Sequence, residues 1–141
     1  MTSDPTTWDD LQVGATATPR SDQPLTVTDF VRYQGASGDF NPIHHDTTFA
    51  QKAGYDQPFA VGMLAAGRAA SYLTDWLGPA NVRRFGVRFQ EQAWPGDVLS
   101  YTGTVVERRV EDGVQLIDVE LSCTRQTGAA HLTGWATVVV P

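Results

Sequence analysis

Residues 37–46, SGDFNPIHHD, bring two carboxylates (Asp39, Asp46), two imidazoles (His44, His45), the carboxamide of Asn41 and the ring of Pro42 into one short stretch. Histidine titrates near neutrality, and a carboxylate beside it is tuned by burial and by neighbouring charge. Asp39 and His44 together have the chemistry to position a water molecule and move its proton. Pro42 fixes its own φ and biases Asn41 away from the helical region, while Asn41 is suited to cap the turn that Pro42 begins. The chain from Asp39 to His44 is therefore expected to be stiff. Three readings are open for it: a polar turn, an acid–base pair and a metal site. The metal reading is disfavoured, because His44, His45 and Asp46 are adjacent and their side chains diverge, and no helical pair such as H-E-x-x-H is present. No metal is expected. His45 has no role beyond solvent contact or loop packing.

Those residues need elements to hold them. Thr28 is expected to cap a helix carrying Phe30, Val31 and Tyr33, ended by Gly35. Asp46 is expected to cap a short helix over TTFAQKA, closed by Gly54. GMLAAGRAASYLTDWLG reads as the main helix, stopped by Gly78-Pro79, with Met63, Leu64, Gly67, Ala70, Ser71 and Thr74 on one face and Ala66, Ala69, Leu73 and Leu77 broadening it. Its many small residues predict burial against a sheet. The region before residue 25 reads as an irregular lead-in, with a strand over ATATP. After Asn81 the pattern is β: VRRFGVRFQ, DVLSYTGTVVERRV after a Pro95-Gly96-Asp97 turn, VQLIDVELSCTR after an EDG hairpin, and HLTGWATVVV after a second turn at TG. Ile117, Val119, Leu121 and Cys123 alternate with polar residues, which predicts a strand buried on one face. A long helix followed by an antiparallel meander is an α+β arrangement.

The bulk properties limit the function classes. The chain has 141 residues, enough for a single domain over 1–141. Charged residues make up 18% and the formal net charge is -6. Both fit an ordinary soluble composition, and the acidic balance argues against nonspecific nucleic-acid binding. One cysteine, Cys123, precludes an internal disulfide and reads as a small core residue. The opening, MTSDPTTWDD, has neither a basic nor an apolar leader segment. The apolar run over 59–77 is interrupted by Arg68 and Asp75, so no membrane span is predicted. A cytoplasmic location is the expectation.

The stretch YQGASGDFNPIHHD resembles the hydratase/dehydratase motif of the MaoC-like family, an aromatic residue followed by S-G-D-x-N-P-x-H, through Tyr33, Ser37, Gly38, Asp39, Asn41, Pro42 and His44. FAQKAGYDQPFAVGMLAAG and VRFQEQAWPGD are similar to later parts of that family, so the resemblance runs from about Leu25 to the end. It implies the hot-dog fold, a long central helix wrapped by a curled antiparallel sheet, and a homodimer or a heterodimer with another hot-dog subunit. It also implies hydration of trans-2-enoyl thioesters of coenzyme A to (R)-3-hydroxyacyl thioesters, or the reverse on coenzyme A or acyl carrier protein. Asp39 and His44 are then the catalytic pair and Asn41 supports the loop or the water. No cofactor or metal is needed, because the thioester itself stabilises charge at its α-carbon.

Gly62, at the start of the main helix, is the expected oxyanion donor; tight packing is its alternative explanation. Many relatives carry His-Gly-Met where this chain has Val61-Gly62-Met63. Tyr33, Phe59, Val61 and Met63 are candidate substrate contacts. Phe59, Met63 and Tyr72 would line an acyl tunnel or else pack in the core, and Arg83, Arg84 and Arg88 would meet phosphates or else form a solvated face. Two rival functions stand beside hydration: a hot-dog thioesterase, and an accessory subunit of a heteromeric dehydratase.

Overall fold

A computed structural model describes residues 4–141, so MTSDPTTWDD is described only from Asp4 onward. Helix α1 spans Val27–Ser37 and is capped by Thr26, not Thr28. The reason is a reciprocal capping box: the Thr26 hydroxyl accepts from the Asp29 N–H at 3.1 Å and the Asp29 carboxylate accepts from the Thr26 N–H at 2.8 Å. Thr28 has Val31 at the corresponding position, which cannot reciprocate. Gly35 does not end the helix, since one internal glycine costs only about 1 kcal/mol. The end comes at Gly38, with φ 79°. A 3₁₀ turn over Pro42–His44 follows, and then α2 over Thr47–Lys52, capped by Asp46 as expected.

Helix α3 spans Gly62–Leu77 and buries Ala65, Ala66, Ala69, Tyr72, Leu73, Trp76 and Leu77. Four of these were expected as the broadened edge, but the predicted centre of the stripe was misplaced: Met63, Gly67 and Ser71 are exposed. Tyr72 and Trp76 carry the largest surfaces on the helix and set which side turns inward. Asn81 Nδ2 donates to the Leu77 carbonyl at 2.7 Å and closes the last turn.

Among the described residues, five antiparallel strands form one sheet in the order β1-β3-β4-β5-β2: β1 Arg20–Ser21, β2 Val82–Phe89, β3 Leu99–Glu111, β4 Val114–Arg125 and β5 Ala130–Val139. Helix α3 contacts all four long strands. The expected α+β arrangement of a long helix on an antiparallel sheet is therefore present. Ile117, Val119, Leu121 and Cys123 are buried beneath α3, as their alternation predicted. Burial pushes the Cys123 thiol up to about 12. The strand predicted over ATATP is not formed. Thr16 makes a single bridge to Thr104, and β1 is only two residues long. Pro19 and Pro24 bracket that region and supply no N–H to a ladder.

Gly86, which blurs the alternation of VRRFGVRFQ, has a steric reason. It pairs with Trp135 on β5, and a Cβ at Gly86 would collide with the edge of the indole ring. The lead-in is irregular but tied down: Leu11 and Ala17 are buried, and Pro5 accepts from the Trp76 indole N–H at 2.7 Å.

Candidate functional site

The polar stretch between α1 and α2 is built by short-range hydrogen bonds. The Asn41 side-chain oxygen accepts from the Ile43 N–H at 3.1 Å and starts the 3₁₀ turn that carries His44. The Asn41 N–H donates to Asp39 Oδ1 at 3.2 Å, and the Asp39 N–H donates to Ser37 Oγ at 3.2 Å. Gln34 on α1 is buried; its Nε2 donates to the Asn41 carbonyl at 2.9 Å, and its Oε1 lies 2.8 Å from His45 Nδ1. His45 thus ties the loop to α1, which is the loop-packing role left to it by the sequence. Asn41 is a frame residue, outside the wall of the cleft described next.

His44 is buried, and its Nδ1 lies 2.7 Å from the Phe59 carbonyl oxygen. A carbonyl only accepts, so Nδ1 carries the proton, and the neutral ring keeps its lone pair on Nε2. The Phe59 ring stands edge-on to the imidazole at 5.1 Å, and Tyr55 and Trp94 pack around Phe59. His44 is thereby held in one tautomer and one orientation, with its basic nitrogen left for the adjoining cleft.

That cleft has a volume of ≈ 310 Å³ and is bounded by Asp39 and His44, by the 59–63 segment, by Phe89 to Gln92, and by His131. The structure brings Asp39, His44, Phe59, Val61, Gly62 and Met63 to one space. Val61 precedes α3 and has no side chain able to cap it, so the first N–H groups of α3 are left without a side-chain acceptor, and Gly62 and Met63 line the cleft. Gly62 also answers a steric demand, since a Cβ there would lie 2.8 Å from Phe89 Cε1. Both explanations of this glycine therefore have a physical basis.

Other candidates lie elsewhere. Tyr33 is half-buried on α1 and does not line the cleft, because it is the adjacent Gln34 that turns toward the loop. Tyr72 is a core residue, buried under the sheet. Arg83 and Arg84 are exposed, and Arg88 borders a separate depression on the sheet with Thr102, Thr104 and Trp135. Among the described residues, no three His, Cys, Asp or Glu side chains gather as a metal site requires.

The sequence reading missed His131, and the strand parity explains why. Leu132, Gly134, Ala136 and Val138 face the core, so His131 reads as an outward polar residue. It is buried by the chain that follows β2: its Nδ1 lies 2.6 Å from the Glu91 carbonyl, and Gln90 N–H donates to the His131 carbonyl at 2.9 Å. The same segment is tied to the opposite wall by the Ala60 N–H, which donates to the Ala93 carbonyl at 2.8 Å. Its position is further held by the buried Asp97, which accepts from Arg125, Gln126 and the Trp94 N–H. Burial works to raise the Asp97 carboxyl, but these donors outweigh it and hold it below the usual carboxylate range.

The family described as "MaoC like domain" matches residues 10–128. The 3-hydroxyacyl-thioester dehydratase Y of Mycobacterium tuberculosis is 36% identical over 85 residues, 57% of this chain. The matched chain spans 29% of that enzyme's length. Among solved structures, the "(R)-hydratase from A. caviae involved in PHA biosynthesis" superposes with a TM-score of 0.80 at 25% identity, covering 93% of this chain and 98% of that one. The ChsH1-ChsH2 complex from Mycobacterium tuberculosis superposes with a TM-score of 0.78 at 27% identity, covering 92% and 98%. The fold is the hot-dog fold of these proteins, as expected.

Proposed function

The chain belongs to the MaoC-like hydratase/dehydratase family, and from that premise we propose that it adds water to a trans-2-enoyl thioester to give an (R)-3-hydroxyacyl thioester, and catalyses the reverse dehydration. The observation that carries this reading is the His44–Phe59 contact, which in the neutral ring leaves the lone pair on Nε2, on a residue that lines the cleft with Asp39 and the start of α3.

In this reading Asp39 and His44 hold a water, and the pair takes its proton as the oxygen attacks C3. The electron pair of the double bond moves to C2 and onto the thioester oxygen. The Gly62 N–H stabilises that oxygen, aided by the dipole of α3. The pair then returns a proton to C2, so the elements of one water are added and nothing is oxidised or reduced. Asn41 keeps Asp39 and His44 on one rigid segment, and Phe59, Val61 and Met63 contact the substrate. No cofactor enters, because the thioester takes up the charge.

A second reading, a subunit of a heteromeric hydratase, is favoured by the likeness to the ChsH1-ChsH2 complex. Association of either kind has a candidate surface: among the described residues β2 is an edge strand paired only with β5, and it exposes Phe85 and Phe89. Light scattering on the purified chain distinguishes a dimer from a monomer.

The assay follows loss of the conjugated enoyl-thioester absorbance with short, medium and bulky acyl groups. Hydration by the lone chain is the expected result. Its absence with all of them would refute independent activity, and release of free thiol would identify a thioesterase instead.

A further inference from the structure

His131 presents an unmet requirement in the same cleft. Its Nδ1 faces the Glu91 carbonyl at 2.6 Å, so Nδ1 must be the protonated nitrogen and the neutral ring carries a lone pair on Nε2. Nε2 is buried and has no hydrogen-bond partner among the described residues. The residue as a whole is 3% exposed, yet it borders the cleft together with His44 and Gly62. Burial disfavours the charged form and lowers the imidazole's affinity for a proton, so the ring is neutral at physiological pH. A neutral imidazole held this way is an acceptor, and a buried acceptor without a donor is costly. Phe89, Gln90, Glu91 and Gln92 border the same cleft, and all four are exposed side chains of the kind that reorient rapidly.

We propose that His131 is a ligand-contacting residue: its Nε2 accepts a hydrogen bond from a donor on the bound thioester, either an amide N–H of the pantetheine arm or a hydroxyl of the acyl group. His131 thereby selects ligands that place an N–H or O–H at that end of the cleft, while Asp39 and His44 act at the double bond. The inference rests on the thioester reading of the cleft but not on turnover.

Binding separates the two. Calorimetry with butanoyl-CoA, which has no double bond to hydrate, and with 3-hydroxybutanoyl-CoA is compared for the native chain, His131→Asn and His131→Gln. Asparagine retains a group at the Nδ1 position for the Glu91 tether but ends short of Nε2, whereas the glutamine amide reaches the Nε2 position. His131→Asn is expected to weaken binding about tenfold, with His131→Gln recovering most of it. A loss with both ligands assigns the donor to the pantetheine amide, and a loss only with the hydroxylated ligand assigns it to the acyl hydroxyl. Unchanged affinity in His131→Asn, or no binding by the native chain, overturns the inference. A native chain that binds with this pattern but hydrates nothing leaves the inference standing and refutes the hydratase reading. Should His131→Asn fail to fold, the side-chain nitrogen NMR signal of His131 Nε2 in the native chain provides the test. It must shift on ligand addition, and an unmoved signal overturns the inference.

Discussion

The Nδ1 atom of His44 lies 2.7 Å from the carbonyl oxygen of Phe59, a contact between residues 15 positions apart. It converts a histidine on a polar loop into a base of defined tautomer. The same backbone carbonyl precedes the segment that leads into α3, so the base and the helix start are fixed to each other through a few peptide units.

The acid–base assignment predicts that Asp39→Asn and His44→Gln each lower kcat by about 10²–10⁴. Asp39 is exposed, so its variant is expected to melt within a few degrees of the native chain. Steady-state kinetics on an enoyl thioester and a thermal melt measure both. Near-native turnover in either variant removes that residue from the chemistry.

Gly62 offers a test of clearance against donation. Gly62→Ala retains the N–H but places a Cβ 2.8 Å from Phe89 Cε1. We expect at least about a tenfold fall in kcat/KM, on the scale of a displaced oxyanion donor. Phe89→Ala in the same chain should restore most of the activity by freeing the space. A double variant that stays as slow as Gly62→Ala contradicts the clearance account.

Acid stability should carry the mark of His131. Its folded-state affinity for a proton is lowered, first by burial and then by Arg125, with the Glu91 carbonyl and Asp97 opposing. The unfolded chain therefore takes up a proton near pH 6.5 that the folded chain refuses, and stability falls as pH drops below that value. The loss stops accumulating once pH passes the lower folded value. Asp97 acts in a more acidic window: its stabilisation is present above about pH 3.8 and is lost as pH falls through its depressed folded value. Urea midpoints at about pH 7.5 and 5.5 should differ more in the native chain than in His131→Asn. Equal differences in the two chains would show that His131 is not the group responsible.

Cys123 is buried in the sheet with its thiol pushed up to about 12. An aromatic disulfide reagent at neutral pH is expected to leave the native chain unreacted and to label it fully in urea, because the thiolate is the reactive form. Rapid labelling of the folded protein would contradict this burial.

Signals contained in a few neighbouring residues were legible without coordinates. Asp46 ahead of TTFAQK, Gly78-Pro79 after α3, the Asp112-Gly113 hairpin and the one-sided alternation of β4 all act through local hydrogen bonds or fixed periodicity. The Thr26 cap was equally local. Its Thr-x-x-Asp spacing was present in the sequence, and the competing Thr28 obscured it.

By itself, then, the sequence determined the α+β class, the two ends of the main helix, the stiff Asp39–His44 segment and the family motif. These rest on backbone geometry and on contacts within about one turn of chain. Long-range packing set which side of α3 is buried, that Tyr33 lies away from the cleft while Phe59, Val61 and Met63 reach it, and that Phe59 sets the tautomer of His44. It also decided that His131, on the polar parity of β5, is buried and bonded to Gln90 and Glu91 in the chain that follows β2. Each of these depends on chain segments that meet only after folding. The free energy that selects them is the burial of large side chains such as Tyr72 and Trp76, together with the pairing of polar groups far apart in sequence, and neither leaves a periodic trace in the chain.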